Sequence, residues 1–102
     1  MHWGATTQDI LVTVRALQIN ESLKLLGQRL ARIVSAVAKL ADEHRHTVMP
    51  ARAFGGHGGV TTFGLHCATW LSSLVRDADR LVELTCRPVA GELFGATGTM
   101  AS

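Results

Sequence analysis

From about Gln8 to His44 the apolar residues Val12, Ala16, Ile19, Leu23, Leu26, Leu30, Ile33, Val37 and Leu40 recur in alternating four- and three-residue steps. Side chains so spaced fall on one stripe of an α-helix, and a 3.5-residue repeat is the seam of a helix packed lengthwise on others. Gly27 weakens such a helix by about 1 kcal/mol relative to alanine, yet the pattern continues on both sides of it. A helix of roughly 36 residues is about 54 Å long, whereas a compact chain of about 100 residues has a radius of gyration near 13 Å. The helix is therefore longer than a globule made from all 102 residues is wide. Its seam requires partner helices of similar length.

The pattern breaks between Thr47 and Gly59. Met49-Pro50 is followed by Gly55-Gly56-His57-Gly58-Gly59, and four glycines in five residues predict a flexible loop over about 47–60. A second helix is expected over about 61–86, with Phe63, Cys67, Trp70, Leu74, Ala78, Leu81 and Leu84 along its apolar stripe. Pro88 closes it or lies just beyond. The tail, 91–102, is glycine-rich, then small and apolar, and resembles the approach to a third helix. The expected fold is all-α: a long antiparallel helical hairpin, residues 1–102 forming one partial helical-bundle domain.

Composition narrows the class. Hydrophobic residues make up 47% and charged residues 18% of the chain, as in a folded, core-forming protein. A formal charge of +2 spread over scattered Lys and Arg argues against a nucleic-acid partner. No apolar run approaches the roughly 18–20 residues a membrane span needs, and no basic-then-apolar leader opens the chain. Cys67 and Cys86 are expected as buried free thiols, and the chain as a soluble, cytoplasmic one.

Three segments carry a family resemblance. His2-Trp3-Gly4-Ala5-Thr6-Thr7-Gln8-Asp9 resembles the HWGATSQD signature of the fumarase/aspartase superfamily, with Thr7 where serine is usual. Met49-Pro50-Ala51-Arg52, with Val60-Thr61-Thr62-Phe63-Gly64, brackets the position of a second signature. Gly95-Ala96-Thr97-Gly98-Thr99 is similar to the glycine-rich run that follows the family's second bundle helix. Their order and spacing cover essentially the whole chain. The opening His2-Trp3-Gly4 is most similar to the branch of 3-carboxy-cis,cis-muconate cycloisomerases (lactonizing enzymes). An adenylosuccinate-lyase-like parent is the alternative within the superfamily.

The resemblance implies a chemistry. Family members carry out β-elimination or its reverse, including lactone formation by addition of a carboxylate across a double bond. A base on a serine-containing loop and an aci-carboxylate carbanion are the implied means. It also implies a homotetramer whose sites draw on three subunits, an anionic carboxylate substrate, and no metal or organic cofactor. Thr6 and Thr7 match the pair that binds substrate oxygens, and Arg52 matches a residue of the second signature. A physical reason supports the threonines: hydroxyls and unpaired N–H groups at a helix N-terminus suit an anion. Asp9, or Thr7, is expected to cap the helix and fix the loop.

The second signature departs from the family pattern. Phe54 stands where the general-acid histidine is expected, Ala53 replaces a threonine, and Gly56 replaces a glutamine. Phenylalanine neither gives nor takes a proton, and His57, in the glycine run, is the one nearby substitute. The family's serine loop would lie beyond Ser102. The resemblance therefore implies a fragment that supplies part of a site and is inactive in isolation. A reading of another class is a non-catalytic helical module that oligomerises through its seam. Elsewhere, His44 and His46 point to different helix faces and are expected as solvated helix-end residues rather than metal ligands. His66 and Cys67 have no third group to make them a nucleophile and its base.

Overall fold

The structure is a computed structural model that describes residues 3–87 and 89–100. The sequence readings placed on His2 and Pro88, and on the end of the tail at Ala101 and Ser102, lie outside the described residues. In chain order the elements are helix α1 (Thr7–Glu43), strand β1 (Val48–Ala53), strand β2 (Gly56–Thr62) and helix α2 (Phe63–Thr85). The chain divides into two compact units, one of Met1–Leu26 with Glu83–Ser102, the other Gly27–Val82. Each is taken by itself.

The Gly27–Val82 unit keeps the expected long helices and adds a small sheet between them. The glycine run is not a free loop but an antiparallel β-hairpin, in register from Val48↔Thr62 to Ala53↔Gly56. Its two-residue turn is Phe54-Gly55, with φ of 50° and 78°. Two positive φ angles give the turn whose twist matches that of paired strands, so glycine after Phe54 permits the hairpin. β-branched Val48, Val60, Thr61 and Thr62 fill the base of the ladder. A register shift between Ala51 and Arg52 leaves Gly58 as the extra residue opposite them. Pro50, which lacks an N–H, is tolerated because each strand of a two-stranded sheet has an open edge.

The hairpin leaves α1 and returns the chain onto it. Phe63 N–H donates to Thr47 O at 2.9 Å and Gly64 N–H to His44 O at 3.0 Å. The Thr62 hydroxyl accepts the Leu65 N–H at 3.2 Å and so caps α2. His44 is not a freely solvated helix-end residue: its ring meets Phe63 edge-on, with centroids 5.2 Å apart, and its Nδ1 lies 3.1 Å from the Thr47 hydroxyl. Gly64 is buried against the backbone of Ala41 in α1 and of Arg45 in the turn that follows it, and Gly27 lies near Leu81. As α1 advances from 27 to 41, its contacts on α2 retreat from 81 to 64, so within this unit the helices run antiparallel.

Burial divides the α1 seam. Val12, Ala16, Leu23, Leu30 and Val37 are half-buried, while Ile19 and Leu26 remain 59% and 53% exposed, with Ile33 and Leu40 also open. From Ala16 onward one layer of the heptad stripe is thus covered within the chain and the alternate layer, Ile19, Leu26, Ile33 and Leu40, faces outward. On α2, Cys67 is fully buried and Leu74, Ala78 and Leu81 are half-covered, but Trp70 and Leu84 are exposed. Cys86, expected inside, is exposed; both cysteines are free. Among the described residues no helix is long and apolar enough to cross a membrane.

Candidate carboxylate-binding site

The Met1–Leu26 and Glu83–Ser102 unit is organised around Asp9. Thr6 precedes α1, and Asp9, its third residue, is 1% exposed. Its Oδ2 accepts the Thr6 N–H at 2.9 Å, the backward-reaching half of a capping box. This reverses the expected polarity: Asp9 receives the N–H of the residue before the helix rather than one from the first turn, and Thr7 lies within the helix. The same carboxylate takes the N–H groups of Phe94 and Gly95, each at 3.1 Å. The Thr6 bond first, then those of Phe94 and Gly95, hold its pKa below the ordinary aspartate value against an opposing desolvation.

One turn further along α1 a second tie repeats the arrangement. The Thr13 hydroxyl accepts the Glu92 N–H at 3.2 Å and donates to Asp9 O at 2.9 Å. A β-carbon on Gly91 would sit in ordinary contact with Thr13, whereas one on Gly95 would lie 2.6 Å from Gly4 O. The backbones of the opening loop and the 94–100 segment are in close contact there. Met100 N–H donates to Phe94 O at 2.8 Å, closing that segment on itself. The tail lies as a strap along the first turns of α1, with turn and irregular backbone over 91–100.

A cleft of about 480 Å³ is lined by Ala5, Thr6, Thr7, Ile10 and Leu11. Thr7, Ile10 and Leu11 share one face of α1, three and four residues apart, and form its wall. At the head of the cleft stand two hydroxyls and the first turn of a helix. Asp9 N–H in that turn donates to Thr6 O at 3.2 Å; the N–H groups before it have no carbonyl within the helix to bond, and the backbone dipole is positive there. Such a corner offers donors to a carboxylate or phosphate and an apolar wall to the group carrying it.

The remaining sequence-predicted residues belong to the other unit. Arg52 lies on β1, paired in register with His57 on β2, and both are exposed. Phe54 occupies the hairpin turn with its side chain fully exposed. Among the described residues no group of three or more His, Cys, Asp or Glu could hold a metal ion.

Sequence reasoning missed Thr13, Glu92 and the donors of Phe94 and Gly95. The glycine-rich run at Gly95 was a signal that the backbone comes close to something there. Nothing local in the sequence says that the something is Asp9, 86 residues earlier.

Comparison with known proteins places this geometry. A family model described as lyase matches residues 1–102. Adenylosuccinate lyase of Synechocystis sp. is 39% identical over 102 residues, which are all of this chain and 24% of that protein. The crystal structure of fumarate lyase from Mesorhizobium sp. BNC1 superposes with a TM-score of 0.89 at 44% identity, covering 97% of this chain and 23% of the other. That of 3-carboxy-cis,cis-muconate lactonizing enzyme from Pseudomonas putida gives a TM-score of 0.90 at 32% identity, covering 98% and 23%. The chain thus spans about a quarter of the length of the proteins it matches. A match from end to end in sequence, and a backbone shared with solved lyases, carry one conclusion: the chain belongs to the lyase family of the fumarase/aspartase superfamily.

Proposed function

We propose that this chain supplies the carboxylate-binding corner of a cycloisomerase resembling 3-carboxy-cis,cis-muconate cycloisomerase, and that it is inactive on its own. The observation that carries the reading is the Thr6–Thr7 pair at the N-terminus of α1, heading an open cleft with an apolar wall. In the complete reaction a substrate carboxylate adds across a double bond, and charge passes through an aci-carboxylate carbanion. The corner described here would hold a carboxylate while that charge develops. Phe54, which by resemblance stands at the general-acid position, can neither give nor take a proton, and this supports the reading of a binding corner rather than a whole active site. Arg52 is the further candidate for contact with an anionic substrate.

The test is equilibrium binding of 3-carboxy-cis,cis-muconate and of adenylosuccinate, with turnover followed in parallel. Binding of the tricarboxylate without turnover, abolished by combined Thr6→Ala and Thr7→Ala, is expected. Preference for adenylosuccinate would move the parent to the adenylosuccinate-lyase branch, whose relatives match this chain equally fully. Binding untouched by the double substitution would refute the site.

The outward layer of the α1 seam supports a second reading, a non-catalytic helical module that associates with copies of itself. Ile19, Leu26, Ile33 and Leu40 recur every seven residues and remain open in the isolated chain. Anionic ligands would then bind no better to the wild-type chain than to the threonine double variant.

A further inference from the structure

Asp9 is the one buried charged side chain among the described residues, and its three backbone donors come from both ends of the sequence. Thr6 N–H belongs to the loop that heads the cleft, while Phe94 and Gly95 belong to the strap. Thr13 adds a second tie to the strap one turn along. A β-carbon on Gly95 would collide with Gly4 O, so the strap and the loop have no slack between them. The backbone of Thr6 is therefore tied, through Asp9, to strap donors that lie 85 and 86 residues beyond Asp9 in the chain.

We infer that Asp9 is a positioning residue for the Thr6–Thr7 corner, holding loop and strap in the single geometry that receives a carboxylate. This rests on the carboxylate-binding reading of that corner. Asp9 does not touch the ligand, and its negative charge opposes an anion bound nearby. Charge and geometry consequently predict opposite signs. If charge governed, Asp9→Asn would bind anions more tightly. If geometry governs, binding weakens, because asparagine turns an N–H₂ toward backbone donors and forfeits acceptors for them.

The experiment titrates the full chain with succinate and with fumarate, following backbone amides by nitrogen-15 NMR and helicity by circular dichroism. In the wild type the amides of Thr6 and Thr7 shift, and those of Phe94 and Gly95 respond through Asp9. Asp9→Asn, with helicity retained, loses roughly tenfold or more in affinity. Thr13→Val leaves Thr6, Thr7 and Asp9 intact but removes the acceptor for Glu92, and it weakens binding by several fold. That variant decides the matter if Asp9→Asn does not fold. Affinity in Asp9→Asn equal to or tighter than wild type overturns the inference while leaving the corner's binding role standing. So does an unchanged affinity in Thr13→Val when Asp9→Asn is unfolded, or a titration that leaves Phe94 and Gly95 unmoved. Absence of any binding by the wild type is the separate outcome that removes the carboxylate-binding reading, and the positioning role with it.

Discussion

Gly64 and Gly27 both lie in helices, and the structure predicts opposite outcomes for the same substitution at the two positions. A β-carbon on Gly64 would stand 2.6 Å from Arg45 Cα and 2.7 Å from both Arg45 N and Ala41 O. Non-bonded heavy atoms prefer about 3.5–4.0 Å, so the start of α2 would have to part by roughly 1 Å from the end of α1 and the turn that follows it. All three obstructing atoms are backbone and have no rotamer through which to escape. Overpacking of this kind costs about 1–3 kcal/mol. Separation also strains the Gly64 N–H bond to His44 O, a net contribution of about 1 kcal/mol. Alanine's helix preference over glycine returns at most about 1 kcal/mol, and less in a first turn. Gly64→Ala is therefore expected to destabilise the chain by about 2–3 kcal/mol. At Gly27 the added carbon meets only Leu81 Cδ2, at 3.5 Å, an ordinary contact with the end of a flexible side chain. Gly27→Ala should stabilise by about 0.5–1 kcal/mol from propensity alone. Urea unfolding followed by circular dichroism measures both at one protein concentration. A Gly64→Ala midpoint at or above wild type, or equal losses in the two variants, would refute the close-approach argument.

Three further expectations concern the turn, the buried carboxylate and the open seam. Replacing Phe54, whose φ is 50°, by glycine removes the steric cost of the left-handed conformation. The hairpin should gain about 1 kcal/mol, seen as slower amide exchange across β1 and β2; unchanged or faster exchange counts against the turn assignment. Asp9 has a depressed pKa in the folded chain, so its contribution is fully present above the ordinary aspartate value near 3.9 and is lost as pH falls through the folded value. Acid titration should therefore release the amides of Thr6, Phe94 and Gly95 together, at a pH below that at which exposed carboxylates titrate; release at the ordinary value would contradict it. Finally, light scattering should show concentration-dependent association that Ile19→Lys with Ile33→Lys abolishes while helicity persists. A helical, monodisperse wild-type monomer at micromolar concentration would remove the claim that the seam needs partners.

Both helices were legible because their signal is local: apolar residues repeated at the helical period over many turns, which few other arrangements satisfy. The lineage was legible for a similar reason, since the opening signature is contiguous and ends within the first turn of α1. The hairpin was less so. Glycine clusters are compatible with turns, bulges and flexible loops alike, and choosing among them depended on whether the flanking residues pair. Here Val48 with Thr62 and Pro50 with Val60 do pair, and Phe54-Gly55 accepts the two positive φ angles. Cys86 was misjudged because helical periodicity gives a side chain's direction but not whether anything lies in that direction.

What the sequence determined by itself, then, was the pair of long amphipathic helices, the family, and the identity of the hydroxyls that head α1. Each follows from residues close together in the chain, whose geometry is set by helix periodicity and backbone sterics. Only the tertiary structure decided which seam residues are covered, and that Gly64 meets the backbone of Ala41 and Arg45 too closely to admit a β-carbon. It alone joined Asp9 to Phe94 and Gly95. A carboxylate and two N–H groups 85 and 86 residues apart carry no mark of each other in sequence. They meet because a buried charge must find donors, and folding brings the strap's unpaired backbone N–H groups within reach.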